Sequence, residues 1–508
     1  MKKYVLFVLL LVTVMSVSAQ MSQLDRSGKN TILKVDGKPF FMLSGELHNS
    51  TCSNVDYLDN VWDNLVKMNL NSVIATASWE LVEPQEGVFD FSHVDAIIKG
   101  AREHKLKVAL IWFGSFKNPF MTYAPNWVKK NPSRFPRAKD PSGKELELPT
   151  LYDSNIIEAD KKAYLALLKH IKDVDKAGTV IMIQVGNEPG LKTPTRDCSA
   201  SANKAWNSDV PHKVIDYLVK NKGTMQPDIE AAWKNNGYQT KGDWETIFGK
   251  SLTKDNGTKP ILHLTEHLFT AFAFANYLEE LSTAGKKILP LPTFTNATGS
   301  VNSRGRSLGN GCSIPDFYDI YKAVAPSLDI LTPNAYPQNL DEICEAFSYK
   351  NNPILIPESN ISAVRPFYLI GEWDAIGFSP FGIDYSESVM QSKSVKLLGD
   401  AYSLINRISD FIAGHLNSDK MRGVYIYSKK PEETIEMGNY SITFSRQHTN
   451  EIGVAMLGAL TNGNQAEGER VLPPSVSDLS QKENASFEGG AMIIQIGTDD
   501  FFIEKKVQ

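Results

Sequence analysis

The chain has 508 residues, enough for one large α/β domain and a smaller one. Its 53 Lys and Arg against 58 Asp and Glu give a net charge of −5, or about −7 once Lys2 and Lys3 are set aside. The charges are interspersed without a basic stripe, which argues against nucleic acid or an anionic membrane as partner.

In chain order, the first segment is MKKYVLFVLLLVTVMSVSAQ. A short basic start (Lys2, Lys3), an apolar run from Tyr4 to Val14 and a small-residue end at Val17-Ser18-Ala19 have the form of a secretory signal peptide over 1–19. The run is short for a membrane span, and no second run is long enough. A soluble exported protein, periplasmic or extracellular, is expected. The four cysteines (Cys52, Cys198, Cys312, Cys344) are scattered, so up to two bridges are possible and their pairing is open.

From about 39 to 415, strand-like runs alternate with helix-period segments. The strands are expected at 39–48, 71–80, 106–114, 179–188, 286–297, 328–337, 352–359 and 374–384. Between them, stretches such as FSHVDAIIKGAREH, DKKAYLALLKHIKDV and LFTAFAFANYLEELSTAG carry the helical period. Alternating strands and helices argue for βαβ units, and eight of them for a (β/α)₈ TIM barrel. The barrel is expected over 20–420. The stretch 191–260, with three tryptophans, reads as an excursion over the barrel mouth. Beyond the last long helix (386–416) the pattern becomes RGVYIYSKK, NYSITFSRQ and GGAMIIQIGTDDFFI, the short alternating runs of a small C-terminal β domain, 421–508.

The fourth run is VIMIQVGNEPG. A strand buried on both faces ends by presenting Asn187 and Glu188 before Pro189 and Gly190 stop it. In such a barrel, functional groups gather at the C-terminal strand ends. The seventh run, NPILIPESN, ends in Glu358, and strands four and seven face each other across the mouth. Two opposed carboxylates are what glycosidic bond cleavage requires. One is protonated and donates to the leaving oxygen, and the other attacks or stabilises the anomeric carbon. An amide beside the acid, Asn187, suits the sugar 2-hydroxyl.

These residues resemble the clan of retaining glycoside hydrolases with an Asn-Glu acid/base on strand four and a Glu nucleophile on strand seven. VDGKPFFMLSGELH (35–48) is similar to the opening of family 35 β-galactosidases. SWELVEPQEGVFDFSHVD (78–95) is similar to a segment shared with family 42, and IQVGNEPG to their VQIENEYG. The resemblance covers roughly 30–500 and includes a bacterial branch with an extra C-terminal β domain. It implies Glu188 as acid/base, Glu358 as nucleophile and Asn187 as the 2-hydroxyl contact. Glu46, Trp79 and Tyr336 would line the sugar subsite, with Asn118 as a further substrate contact. This sequence departs from the pattern at Gly186, at Ser359-Asn360 and at Lys117-Asn118, which stands near the usual third-strand galactose contact. Similar C-terminal domains run on past this chain's last residue, so a truncated domain is expected.

The competing readings are a core role for Trp79, loop capping for Glu46 and His48, and a turn role for Asn187. His263-Leu264-Thr265-Glu266-His267 matches an inverted zinc-peptidase pattern. However, it opens a helix of the outer ring and lacks a third ligand, so no metal is expected. The expected function is an exported retaining exo-glycosidase releasing terminal β-galactosyl residues from oligo- or polysaccharides, without metal or organic cofactor. Its alternatives are the same chemistry on an arabinoside, fucoside or mannoside, or a non-catalytic carbohydrate-binding relic.

Overall fold

In the strand Lys107–Phe113, side chains alternate with a period of two. Val108, Leu110 and Trp112 pack outward under the helices, while Ala109, Ile111 and Phe113 belong to a separate interior cluster. The computed structural model describes residues 21–250, 263–297, 310–337, 339–385, 387–446, 452–458 and 488–507. The expected leader, 1–19, lies outside them.

Eight parallel strands make the sheet: Met42–Leu43, Ser72–Ser78, Lys107–Phe113, Val180–Val185, Thr293–Ala297, Ile330–Ala335, Ile356–Ser359 and Gly377–Pro380. The first pairs with the eighth, and the sheet closes on the second through a bridge between Glu46 and Ile74. There Leu47 N donates to Ile74 O (3.0 Å) and Ile74 N to Gly45 O (2.9 Å). The fold is a (β/α)₈ barrel followed by small antiparallel sheets. The barrel interior is filled by Met42, Ile74, Ile111, Met182, Phe294, Ile330, Leu355 and Ile376. It is plugged at its N-terminal end by Leu33 and Val35 of an antiparallel hairpin that precedes the first strand.

Two expected elements shift. The fifth run, expected at 286–297, begins later: the helix Leu264–Ile288 continues through its first residues and the strand starts only at Thr293, after Pro290 and Pro292. The excursion after strand four forms short helices, Ala200–Trp206, His212–Lys220, Pro227–Asn235 and Trp244–Phe248, that pack on the outer ring. Trp206 and Trp244 meet Phe269 edge-on, and Tyr217 Oη donates to Asp319 (2.8 Å). The tryptophans of this stretch, which is expected as an excursion over the mouth, are buried because they cover the apolar backs of these helices.

At the C-terminal end, Met421–Tyr427, Glu488–Gln495 and Phe501–Val507 form one antiparallel sheet. Glu432–Met437, Tyr440–Arg446 and Ile452–Gly458 form another. Val424, Ile426, Ile435, Ile442, Phe444 and Ile493 make a cluster of their own between them. The other face of the first sheet packs on the barrel helix Arg365–Trp373 and joins the main core through Tyr425, Met492 and Ile494. The approach is so close that a Cβ on Gly423 would lie 2.5 Å from Tyr368 O.

Candidate active site

The inward positions of the strands turn from apolar to polar towards the C-terminal mouth: Ile330 to Asn334 on strand six, Phe294 to Asn296 on strand five. Strand four ends in a backbone that few residues adopt. Gly186 has φ +70° and Glu188 φ +48°. At Gly186 a Cβ would also stand 2.9 Å from Phe116 Cζ, which accounts for glycine where the resembled pattern has glutamate. The conformation of Glu188 is held by its own N–H, which donates to Asn296 Oδ1 (2.8 Å). Asn187 is buried, and its Oδ1 accepts from Gln184 Nε2 (2.7 Å) and Asn296 Nδ2 (2.9 Å). Its Nδ2 donates to Lys117 O (3.0 Å), leaving its second amide hydrogen without a partner among the described residues. The loop carrying Lys117 is anchored below by the buried Asp160, which accepts from Trp112 Nε1 (2.7 Å), Ser115 N (2.6 Å) and Tyr277 Oη (2.6 Å).

The two glutamates meet on one nitrogen. Asn334 Nδ2 donates to Glu188 Oε1 (2.8 Å) and to Glu358 Oε2 (3.0 Å). With its two hydrogens about 120° apart, the accepting oxygens lie roughly 5 Å from each other. Tyr336 Oη donates to the other oxygen of Glu358 (2.5 Å), and Lys117 Nζ stands 3.9 Å from Glu188 Oε2. Glu46 completes the group, buried at the end of strand one, and among the described residues its Oε2 has no hydrogen-bond partner.

Three carboxyl groups in one low-dielectric mouth do not ionise alike. Burial, then repulsion from Glu358, pushes Glu188 up to about 7, against the opposing pull of Lys117 and Asn334. Burial also raises Glu358, but the Tyr336 hydroxyl and the Lys117 charge both favour its ionised form. Glu46 is raised well above the usual carboxylate range, by burial first and then by Glu358 and Glu188. The arrangement therefore favours the proton on Glu188 and the charge on Glu358.

The structure thus brings together Glu188, Glu358, Tyr336, Glu46 and Asn187. It does not bring Trp79. Trp79 opens the short helix Trp79–Val82 directly after strand two, which turns its ring inward. It is 0% exposed, donates to Glu83 Oε2 (2.9 Å) and meets Trp127 edge-on, with no face left for a sugar. Asn118 closes its own turn, accepting from Phe120 N (3.0 Å). His48 is tied to Asp384 by Nδ1 (2.7 Å). In the zinc-like motif, His267 is buried, stacks on Phe317 and accepts the Gly311 N–H at Nδ1 (3.2 Å), and burial takes it down to about 4. His263 instead faces Glu266. Among the described residues no cluster of three metal-ligating side chains occurs. Sequence reasoning missed Asn334, Asn296 and Lys117. Asn334 and Asn296 sit at strand ends, so the strand-end rule that selected the glutamates applies to them too.

Residues 54–370 match the model of glycoside hydrolase family 42, described as beta-galactosidase. The chain belongs to this family. Residues 398–504 match a domain of unknown function, DUF5597. A curated beta-galactosidase of Xanthomonas manihotis is 30% identical over 164 residues, which are 30% of this chain and 25% of that protein. Among solved structures, the beta-galactosidase of Bacillus circulans sp. alkalophilus shares the fold with a TM-score of 0.50 at 15% identity. The match covers 73% of this chain and 56% of that one. The cold-adapted beta-galactosidase of Rahnella sp. R3 aligns with a TM-score of 0.50 at 16% identity, over 74% of this chain and 57% of that one. The family 42 chain described here thus spans a quarter of the curated relative's length and somewhat over half of the solved ones.

Proposed function

We propose that this family 42 protein is a retaining exo-glycosidase that hydrolyses terminal β-galactosyl residues of oligo- or polysaccharides by double displacement. One observation carries the reading: Glu188 and Glu358 accept from the same Asn334 amide, which holds their oxygens at the ~5–5.5 Å typical of retention rather than the ~6.5–9.5 Å that leaves room for an inverting water.

The ionised Glu358 attacks the anomeric carbon as the bond to the leaving oxygen breaks, and that oxygen takes the proton of Glu188. Glu188, now ionised, draws a proton from water. The resulting hydroxide attacks the anomeric carbon and frees Glu358. Tyr336 holds the nucleophile ionised and oriented, and Asn334 holds both carboxylates. The remaining amide hydrogen of Asn187 serves the 2-hydroxyl, and Glu46 serves a further hydroxyl. No step draws on a metal or organic cofactor. The leader at 1–19 directs the protein out of the cytoplasm, where such glycans are met.

The name of the family supports galactose. One observation favours another β-glycoside, such as an arabinoside or fucoside: Trp79 is fully buried and offers the sugar no platform, so recognition falls to Glu46, Lys117 and Tyr336. The test is hydrolysis of a panel of aryl glycosides by the mature protein beside Glu358→Ala, with the anomer released followed by NMR. Release of β-galactose first as the β-anomer, abolished in the variant, is expected. Release of the α-anomer first would overturn double displacement, and no release by folded wild type would overturn the enzyme reading.

A further inference from the structure

The region matched by the domain of unknown function sends one carboxylate to the barrel. Glu488, at the start of its strand, accepts from Arg365 Nη2 (2.7 Å), Tyr425 Oη (2.9 Å) and Ser362 Oγ (2.9 Å). Arg365 is 1% exposed and opens the barrel helix that follows strand seven. A buried guanidinium needs both a counter-charge and acceptors for its hydrogens. Glu488 is the counter-charge. The acceptors are the strand ends beside the reacting groups: Nη1 donates to Ala335 O (2.5 Å) and Ser359 Oγ (2.9 Å), and Nη2 also donates to Pro337 O (3.3 Å). Ala335 and Pro337 flank Tyr336, and Ser359 follows Glu358. Ser359 Oγ in turn donates to Ala335 O (2.7 Å), tying the two strand ends together.

The geometry points to Glu488 and Arg365 as positioning residues for the nucleophile side of the active site. The C-terminal β domain supplies the charge that lets a buried arginine clamp Glu358 and Tyr336 in register. This rests on the reading of Glu358 as nucleophile. Glu488 touches no substrate and acts only through Arg365. The role predicts a loss in the attack step rather than in binding, since displacement of a nucleophile by a fraction of an ångström lowers the rate while the sugar contacts persist.

The molecule contains its own control. Arg422 and Glu372 form a second ion pair between the same domain and the same helix (2.8 and 3.0 Å), at the helix end away from the strand ends. Glu488→Gln and Glu372→Gln are compared with wild type for Tm, kcat and KM on the aryl glycoside that wild type hydrolyses. The rate of covalent trapping by the matching 2-fluoro glycosyl fluoride is measured alongside. For Glu488→Gln, kcat and the trapping rate are expected to fall roughly 10- to 100-fold with KM within about threefold. Glu372→Gln is expected to lower Tm alone. Equal losses of kcat in both variants, or none in either, would overturn the inference, because the domain would then act only through docking. If Glu488→Gln does not fold, Tyr425→Phe, which removes one hydrogen bond to Glu488, decides. A several-fold drop in trapping rate at unchanged KM supports positioning, and an unchanged rate overturns it. A wild type that is silent on every glycoside fails the nucleophile reading and this inference with it. An active wild type beside an unaffected Glu488→Gln fails this inference alone.

Discussion

Lys117 Nζ lies 3.9 Å from Glu188 Oε2 and, among the described residues, is the one cation acting on all three carboxyl groups. Its charge lowers the proton affinity of Glu46, Glu188 and Glu358 alike. The active form needs Glu358 ionised and Glu188 protonated, so kcat/KM should rise as Glu358 deprotonates and fall as pH passes through about 7, where Glu188 loses its proton. Replacing Lys117 by Met removes a stabiliser of both anions. Both limbs of the pH profile are then expected to move to higher pH. A profile that stays in place would show that Lys117 does not tune the pair.

Asn334 is the amide on which the two glutamates converge. Asn334→Ala removes two hydrogen bonds to carboxyl groups, each worth about 1.5–3 kcal/mol when the acceptor is charged. A fall of roughly 10²-fold in kcat/KM is expected, equivalent to about 3 kcal/mol of barrier. Steady-state kinetics on the folded variant would check it. A change under threefold would mean that packing alone holds the carboxylates.

Glu46 separates charge from hydrogen bonding. Its proton affinity is raised well above the ordinary range by burial and by its two neighbours, which favours the uncharged acid, and among the described residues its Oε2 has no hydrogen-bond partner. Glu46→Gln keeps the shape and the neutral charge and is expected to stay within about fivefold of wild type. Glu46→Ala leaves the sugar hydroxyl unpaired and is expected to lose about 1–3 kcal/mol of binding, seen mainly in KM. Equal losses in the two variants would contradict a neutral Glu46.

Gly186 combines φ +70° with a Cβ position 2.9 Å from Phe116. Gly186→Ala should cost about 1–3 kcal/mol of stability through the left-handed backbone and the crowding together. Because the residue sits two before Glu188, kcat should fall along with Tm. Thermal denaturation and kinetics on one preparation test this, and retention of both would show that the strand end adapts.

Strand ends and interior faces explain what could be read early. A carboxylate that closes a run of buried β-branched residues has only the mouth to occupy, so Glu188 and Glu358 were readable one strand at a time. Trp79 was not, since the same position after strand two serves a sugar platform or a helix start. The choice was made by the helix Trp79–Val82 and by Trp127 and Glu83, which pack around the ring. Lys117 looks like an ordinary loop residue until Asn187 is seen bound to its carbonyl.

The sequence by itself determined the local and periodic properties of this protein. These are the eight alternating units, the change to short β-runs near residue 421, and the polar groups that end strands four, six and seven, because periodicity and turn residues act over a few positions. Tertiary structure alone decided which of those groups meet. Barrel closure brings residues 146 and 24 positions apart onto one Asn334 amide, and domain packing brings Glu488 to Arg365 across 123. Proton affinities follow from the same convergence. Burial and the mutual repulsion of three carboxyl groups exist only once distant strand ends share one dry mouth.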